Sequence, residues 1–564
     1  MNEAGFEYMW RRGVPPSERK YPGFAPRTET VRPGILVERD IEVPMRDGVK
    51  IYVDVYRPDS TDKVPALVAW SPYGKHSPGG YDRFFKNGGV KPEWTSQYAA
   101  FEGPDPLRWV PNGYAIVNVD TRGVWNSQGK ATFWNHAEGD DGYDLIEFLG
   151  VQDWCNGKVG LAGVSYLAIA QWQIAAKQPP HLAAINPWEG VSDVYREFAF
   201  HGGIPDSFFV PLWNSSGVNS SLTEVEDMVE MMKTHPLWDA YWETKRAHLA
   251  NIVCPAYVVA SWTDQGLHTR GTLQAYREIS SKQKWLEIHG RKKWEYYLQP
   301  ENVEKQKKFF DCFLRGIRNE VLQWPKVRLE VRDKFYVGKF RNENEWPMAR
   351  TEYRKLYLDA RSGSMKTTPY LAKSKVTYDA PGDGSRCPSA YRDERAQFSY
   401  KFGRPTELLG HMKLRLWVEA EGNDDMDLFV AVQKFDKNGR YVGFAAFNAM
   451  EDGPVALGWL RASHRELDPL RSTPEQPWYQ HRREQKLTRG EVVPVDIEIW
   501  PSGTRFNTGE SLRVIVQGSD IYRYADWIRM HGHRQSINRG RHIVHTGGKY
   551  DSHLLIPVVQ PKRG

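Results

Sequence analysis

From Gly34 to about Pro58 two short runs, ILVERDIEVPM and VKIYVDVYRP, alternate apolar and polar residues on either side of Arg46-Asp47-Gly48. That pattern predicts a β-hairpin, with Asp-Gly supplying the turn. The pattern then changes to nearly continuous apolar runs: ALVAW (66–70), YAIVNVD (114–120), VGLAGVS (159–165), LAAINP (182–187), AYVVASW (256–262) and KWLEIHG (284–290). Runs with no polar side predict parallel strands covered on both faces. Between them lie helical stretches. DDGYDLIEFLGVQ places Tyr143, Ile146, Leu149 and Val151 close to helical spacing, and YLAIAQWQIAAKQ ends before Pro179-Pro180, which cannot continue a helix. Strand alternating with helix predicts an α/β domain over 35–189 and 251–320, with a mainly parallel sheet.

Residues 190–250 interrupt this rhythm with aromatic-rich polar helical stretches and no strand signal, so they are expected to form a helical cap insertion over the sheet's edge. Residues 1–34, rich in Arg, Pro and Glu, read as an irregular arm. Over 321–564 many short alternating runs, from KVRLEVRD to HLLIPVV, are separated by Gly, Asn, Asp and Pro turns. Their spacing predicts an all-β sandwich of jelly-roll type.

Composition narrows the class. The formal charge is only +6, without a Lys/Arg tract, so nucleic acid is not an expected partner. No run approaches the roughly 20 apolar residues of a membrane helix. The opening MNEAGFEYMWRRG lacks the apolar run of a secretory signal. Cys155, Cys254, Cys312 and Cys387 are far apart and form no CxxC pair, which argues against a disulfide framework and a zinc site. The expectation is a soluble cytoplasmic protein.

The most specific chemical signal is Val159-Gly-Leu-Ala-Gly163-Val-Ser165-Tyr166, in which a strand turns sharply through a serine into a helix. Gly163 gives the backbone room for a strained turn that lifts the Ser165 hydroxyl to the carboxyl edge of the sheet. The helix N-terminus beneath favours developing negative charge. In the usual elbow a second glycine stands two after the serine; here that place is Leu167. A serine nucleophile needs a base and an orienting acid, in the chain order Ser, Asp/Glu, His. Asp264 follows AYVVASW and His289 ends KWLEIHG, both at strand carboxyl ends, so they are the expected acid and base. His268, four residues after Asp264, is the alternative base. Asp264 could equally cap a helix, and His289 could be a structural histidine. The Tyr166 backbone N–H is one expected oxyanion donor, and the loop from Ala69 to Lys75 should supply another. Trp70, Phe198, Phe208, Phe209 and Trp213 are candidates to line an acyl or alcohol pocket, although aromatic residues of a cap commonly form its own core. Neither G-x-G-x-x-G, nor a phosphate-cradling loop, nor a cluster of metal ligands stands out, so no cofactor or metal is expected.

SPYGK (71–75), VDTRGVWNSQG (119–129), DWCNGKVGLAGVSYLAIAQWQ (153–173) and ASWTDQGLHTRG (260–271) together resemble the cocaine esterase and X-Pro dipeptidyl-peptidase family of serine hydrolases. HMKLRLWVEAEGNDDMDLFVAVQKFDKNGR, GWLRASHRELD and TGGKYDSHLLIPVV resemble that family's C-terminal jelly-roll domain, so the likeness runs from about 35 to 558. The resemblance implies an α/β-hydrolase fold, with Ser165 as nucleophile, Asp264 as acid and the phenol O–H of Tyr73 as an oxyanion donor. Asp120, Arg122 and Trp154 match recurrent positions and are expected to be an ion pair and a packing residue. Two departures stand out. Where family members place the histidine at the end of G-P-W-x-H, this chain has IHGRKKWEYY, and Ala168 stands where glycine is common.

The expected activity is hydrolysis of a carboxylic ester, or an amide, of a hydrophobic or aromatic small molecule through an acyl-enzyme. Acyl transfer, X-Pro dipeptidyl-peptidase-like amide cleavage and a catalytically silent binding protein are the alternatives. A small-molecule substrate is the expected partner, nucleic acid and membrane are not, and the sequence leaves self-assembly open.

Overall fold

The computed structural model describes residues 5–76, 84–380, 395–522, 532–534 and 536–561. Cys387 lies outside them. Cys155, Cys254 and Cys312 are free thiols. Among the described residues no helix is long and apolar enough to cross a membrane.

The predicted hairpin is present. Strands β1 (Ile35–Pro44) and β2 (Lys50–Pro58) pair antiparallel around a turn in which Gly48 takes φ +83°. Six parallel strands follow: β3 (Val64–Ser71), β4 (Ala115–Asp120), β5 (Cys155–Val164), β6 (Leu182–Trp188), β7 (Ala256–Ser261) and β8 (Lys284–His289). Their pairings give the order β1-β2-β4-β3-β5-β6-β7-β8. Side chains alternate between the faces of each strand, and the two cores divide accordingly. Ala66, Val68 and Leu161 join one, Leu67, Ala162 and Val164 the other. Helices α1 (His136–Gly150) and α2 (Tyr166–Ala175) cover the first face, with Leu145, Leu149 and Ile174 in its core. The long helix 300–314 covers the second through Phe309, Phe310 and Leu314. Both faces are therefore dry, which is why the strands carry no polar side.

The 190–250 segment differs from the expectation. Its helical turns are short, among them α3 (Met228–Thr234) and α4 (Ala240–Thr244), and strand pieces precede these two. Phe200–His201 and Ile204–Pro205 form a tight hairpin. Glu224–Glu226 pairs with Trp10–Arg12 of the N-terminal arm, which is thus ordered against the insertion, not irregular along its length. The insertion is held from its other side as well. Arg461 donates its N–H to Gly202 O at 2.9 Å, and a Cβ on Gly202 would stand 2.1 Å from Trp459 O. Strands of two or three residues, one of them paired with the distant N-terminal arm, leave little local periodicity to read.

Helices α5 (Thr269–Glu278), α6 (Lys293–Leu298) and α7 (Pro300–Leu314) complete the α/β part. Strand β9 (Val327–Lys334) pairs parallel with β8 and touches Thr504 through Arg332, so it joins the central sheet to the β domain. In that domain the 16-residue strand 406–421 pairs on one edge with 493–506, and on the other with 541–546 and 553–559. A second antiparallel sheet runs through 395–401, 511–517, 427–435 and 456–461. Leu414, Leu416, Ile497 and Leu554 of one sheet share a core with Phe398, Val430, Val432 and Val514 of the other.

Candidate active site

Strand β5 carries Gly163 at φ +138°, ends at Val164 and passes through Ser165 at φ 60°, ψ −115° directly into α2. This backbone region is costly for a side-chain-bearing residue and needs support from its surroundings. Ser165 N–H donates to Trp188 O at 2.9 Å and Val164 N–H to Glu102 O at 3.1 Å. Leu167 occupies the space above Gly163, where a Cβ would lie 2.4 Å from Leu167 Cδ2. Ala168 is small enough for Gly190 to approach, since a Cβ on Gly190 would stand 2.9 Å from Ala168 Cβ. Ser165 remains partly exposed at the tip of this bend.

The imidazole that faces Ser165 is His268, with Nε2 3.2 Å from the serine Oγ. Its Nδ1 is hydrogen-bonded to Asp264 Oδ2. The local chain explains the pairing. Asp264 O accepts N–H groups from Leu267, His268 and Thr269, which folds the loop after β7 into one tight turn and returns His268 over its own acid. The hydrogen bond to a carboxylate requires the proton on Nδ1, so the Nε2 lone pair points at the serine.

His289 does not reach Ser165, which corrects the expectation that placed it there. It is fully buried at the end of β8, with Nε2 3.1 Å from Glu189 Oε1. Its Nδ1 accepts the Arg291 N–H at 3.2 Å, and its ring stacks on Tyr296 with centroids 4.0 Å apart. Both ring nitrogens are thereby engaged. Ser261 donates to the other Glu189 oxygen at 2.6 Å.

Lys293, the first residue of α6, was not singled out by the sequence. Its Nζ donates to Asp264 Oδ2 at 3.2 Å, and the side chain is 1% exposed. Glu102 is nearly as buried, and its Oε1 accepts the Trp294 indole N–H at 2.7 Å. Burial pushes the Glu102 carboxyl up to about 7, against the opposing pull of the Lys293 charge. Burial, and next the Lys293 charge, hold the His268 imidazole below its usual value, while Asp264 acts the other way.

Tyr73 accepts the Trp213 indole N–H on its Oη at 3.2 Å. Burial raises its phenol far above the ordinary value, so it stays protonated and able to donate. The Tyr166 side chain points away from the serine and donates to Glu138 Oε1 at 2.7 Å, while its backbone N–H heads α2. Trp70 donates to the same oxygen at 2.8 Å and is 1% exposed, so it supports the elbow from below and does not line a pocket. Phe198, Phe209 and Trp213 share one aromatic cluster with Trp134, on which Trp213 stacks with centroids 4.8 Å apart. Phe208 stands apart from that cluster, under the Arg534 guanidinium at 3.9 Å. Arg122 pairs with Asp141 and Asp47, not with Asp120, which instead accepts from Tyr21 and the Lys75 backbone. Trp154 packs against the main core.

Among the described residues, two groups of carboxylate and imidazole atoms lie within 4.8 Å of one another, Asp40/Asp54/His76 and Glu189/Asp264/His268. In each, a lysine ammonium already faces the carboxylates. Lys75 is 2.5 Å from Asp40 and 3.0 Å from Asp54, and Lys293 contacts Asp264. These donor sets fit internal ion pairs better than metal centres.

Comparison with known proteins identifies the family. The X-Pro dipeptidyl-peptidase (S15 family) profile matches residues 47–228, and that of the X-Pro dipeptidyl-peptidase C-terminal non-catalytic domain matches 319–555. Cocaine esterase of Rhodococcus sp. is 25% identical over 93% of this chain and 99% of that protein. A crystal structure of a CocE/NonD family hydrolase from Staphylococcus aureus superposes with a TM-score of 0.87 at 41% identity, over 93% of this chain and 94% of that one. An aminopeptidase from a marine-sediment Thaumarchaeota archaeon shares the fold, with a TM-score of 0.73 at 16% identity over 96% of this chain and 100% of that one. The chain belongs to the CocE/NonD family of serine hydrolases.

Proposed function

We propose that the chain hydrolyses carboxylic esters of hydrophobic or aromatic small molecules through an acyl-enzyme on Ser165. The observation that carries this reading is the line Ser165 Oγ, His268 Nε2, His268 Nδ1, Asp264 Oδ2 at a strained strand–helix bend. In the proposed reaction Ser165 Oγ attacks the ester carbonyl as its proton passes to His268 Nε2, giving a tetrahedral oxyanion. His268 returns that proton to the departing alcohol as the C–O bond breaks. Water then repeats the sequence on the acyl-enzyme, releasing the acid and freeing the serine. Asp264 fixes the Nδ1–H tautomer and balances the transient imidazolium. Tyr73 O–H and Tyr166 N–H donate to the oxyanion, each worth about 3 kcal/mol on the scale of single donors.

The aromatic cluster of Phe198, Phe209, Trp213 and Trp134 next to Tyr73 and Tyr166 favours an apolar acyl or alcohol group. We read the 190–250 insertion as the cap over this site and the C-terminal sandwich as a jelly roll. A fluorophosphonate probe tests the chemistry. Wild type should be labelled and Ser165→Ala should not, while a folded wild type that resists labelling would mark a binding protein. Rates on aromatic and short p-nitrophenyl esters against aminoacyl-proline amides test the substrate class, the esters being expected to react faster.

A further inference from the structure

The triad carboxylate has two cationic suitors. Lys293 Nζ lies 3.2 Å from Asp264 Oδ2, the oxygen that His268 Nδ1 also uses, and 3.4 Å from Nδ1 itself. Nδ1 must carry a proton to bond the carboxylate, so the lysine and the imidazole are two N–H donors converging on one acceptor. The contact between them is not a hydrogen bond. A neutral imidazole tolerates this approach; an imidazolium would place a second full positive charge beside the ammonium, in a space nearly closed to solvent.

Among the described residues, the charged and titratable groups around the pair are Asp264, Glu189 and Glu102, with His289 behind Glu189 and Tyr73 and Tyr297 beside Glu102. The three carboxylates hold Lys293 charged, which raises it above the ordinary lysine value despite burial. Its position also accounts for a departure in the sequence. In IHGRKKWEYY no histidine follows the tryptophan, and the residue before Trp294 delivers an ammonium to the acid while the base comes from the Asp264 loop.

Resting on the serine-hydrolase reading above, we propose that Lys293 is a positioning residue that keeps His268 neutral and aimed at Ser165 by holding a fixed positive charge against the carboxylate oxygen they share. The built-in charge trades some basicity for a base that stays unprotonated in acid, so the lysine extends the working range of the site downward in pH.

The test is the pH dependence of Ser165 inactivation by a fluorophosphonate, which needs no natural substrate. Lys293→Met removes the charge, Lys293→Gln removes it but keeps an N–H donor for Asp264, and Lys293→Arg keeps the charge. Both neutral variants should move the acid-side midpoint upward by about one pH unit, a tenfold change in proton affinity. The arginine variant should stay near wild type. A lysine that is only a counter-ion of the fold would change the melting temperature and leave the midpoint in place. A folded neutral variant titrating with wild type overturns the inference. Should neither neutral variant fold, Glu102→Gln/Lys293→Gln replaces both buried groups by amides and decides by the same midpoint, because Glu102, pushed up to about 7, carries little charge on the acid side. Wild type that is not labelled, or Ser165→Ala that still is, overturns the hydrolase reading and the inference with it. Labelling at Ser165 without the midpoint shift overturns the lysine role alone.

Discussion

Trp213 donates its indole N–H to the phenol oxygen of Tyr73, across 3.2 Å between the 190–250 insertion and the loop after β3. The bond fills a lone pair of the phenol and leaves the O–H as its outward group. In the proposed mechanism that O–H serves the oxyanion, so the indole orients and polarises it. The sequence offered Trp213 only as a pocket wall. The geometry gives it a polar task alongside its stack on Trp134.

Trp213→Phe keeps an aromatic ring in the stack and deletes the donor. A net hydrogen bond contributes about 0.5–1.5 kcal/mol, so kcat for a p-nitrophenyl ester should fall roughly threefold to tenfold, with KM little changed. A rise in KM with kcat unchanged would instead make Trp213 a plain substrate surface.

His268 and His289 should separate cleanly by what their loss damages. His268→Ala removes the group next to Ser165 and should lower kcat by about four to six orders of magnitude, with KM nearly constant. His289→Ala leaves the Glu189 carboxylate, fully buried, without one of its two side-chain partners. It should destabilise the fold by about 2–4 kcal/mol, while the folded fraction retains kcat within about tenfold. Denaturant titration beside steady-state kinetics reads both. The assignment fails if the folded His289 variant is the inactive one.

How far the sequence carried this site can be traced residue by residue. The six buried runs mark the parallel strands because a strand covered on both faces has no polar positions left. Gly163 and Ser165 mark the elbow because few residues pass through that backbone conformation. Chain order and a strand end point to His289, yet His268 satisfies the same order. What distinguishes them is the turn that folds Leu267, His268 and Thr269 back onto Asp264 O, a contact with no periodic signature. Lys293 and Glu102 carry no sequence signal, because a charged residue reads as solvated surface until the fold closes over it. One strand piece of the insertion is hidden for a related reason. Glu224–Glu226 acquires its partner from the N-terminal arm, so only the assembled chain defines it as a strand.

Glu102 makes the protein's stability depend on pH. Its carboxyl titrates near 7 in the fold, against an ordinary value of 4.5. A raised carboxyl means that the folded state binds the proton more tightly than the unfolded chain. The associated stability is complete below about 4.5, falls as pH rises toward 7 and is absent above. Glu102→Gln retains the Trp294 acceptor without the ionisation. It should therefore be more stable than wild type at pH 8, by on the order of 3 kcal/mol, with the advantage gone by pH 4.5. Thermal melts of both proteins across this range check it. An offset that does not change with pH would exclude a titrating Glu102 as its source.

The backbone at Ser165 yields the last prediction. At φ 60°, ψ −115° the residue lies where a Cβ is strained and glycine is not. The conformation is imposed from outside, by Trp188 O on the Ser165 N–H and Glu102 O on the Val164 N–H, so it should persist when the side chain is changed. Ser165→Gly and Ser165→Ala both delete the hydroxyl and should both be inactive, which removes catalysis from the comparison. They differ in strain, worth about 1–3 kcal/mol at such positions, against roughly 0.5–1 kcal/mol that glycine loses through the freedom of the unfolded chain. The glycine variant should then be the more stable by about 1 kcal/mol, the difference of these opposing effects. It would appear as a higher urea midpoint with an unchanged slope. If the alanine variant is equally or more stable, the bend is relaxed, and the serine is presented by the surrounding packing without stored backbone strain.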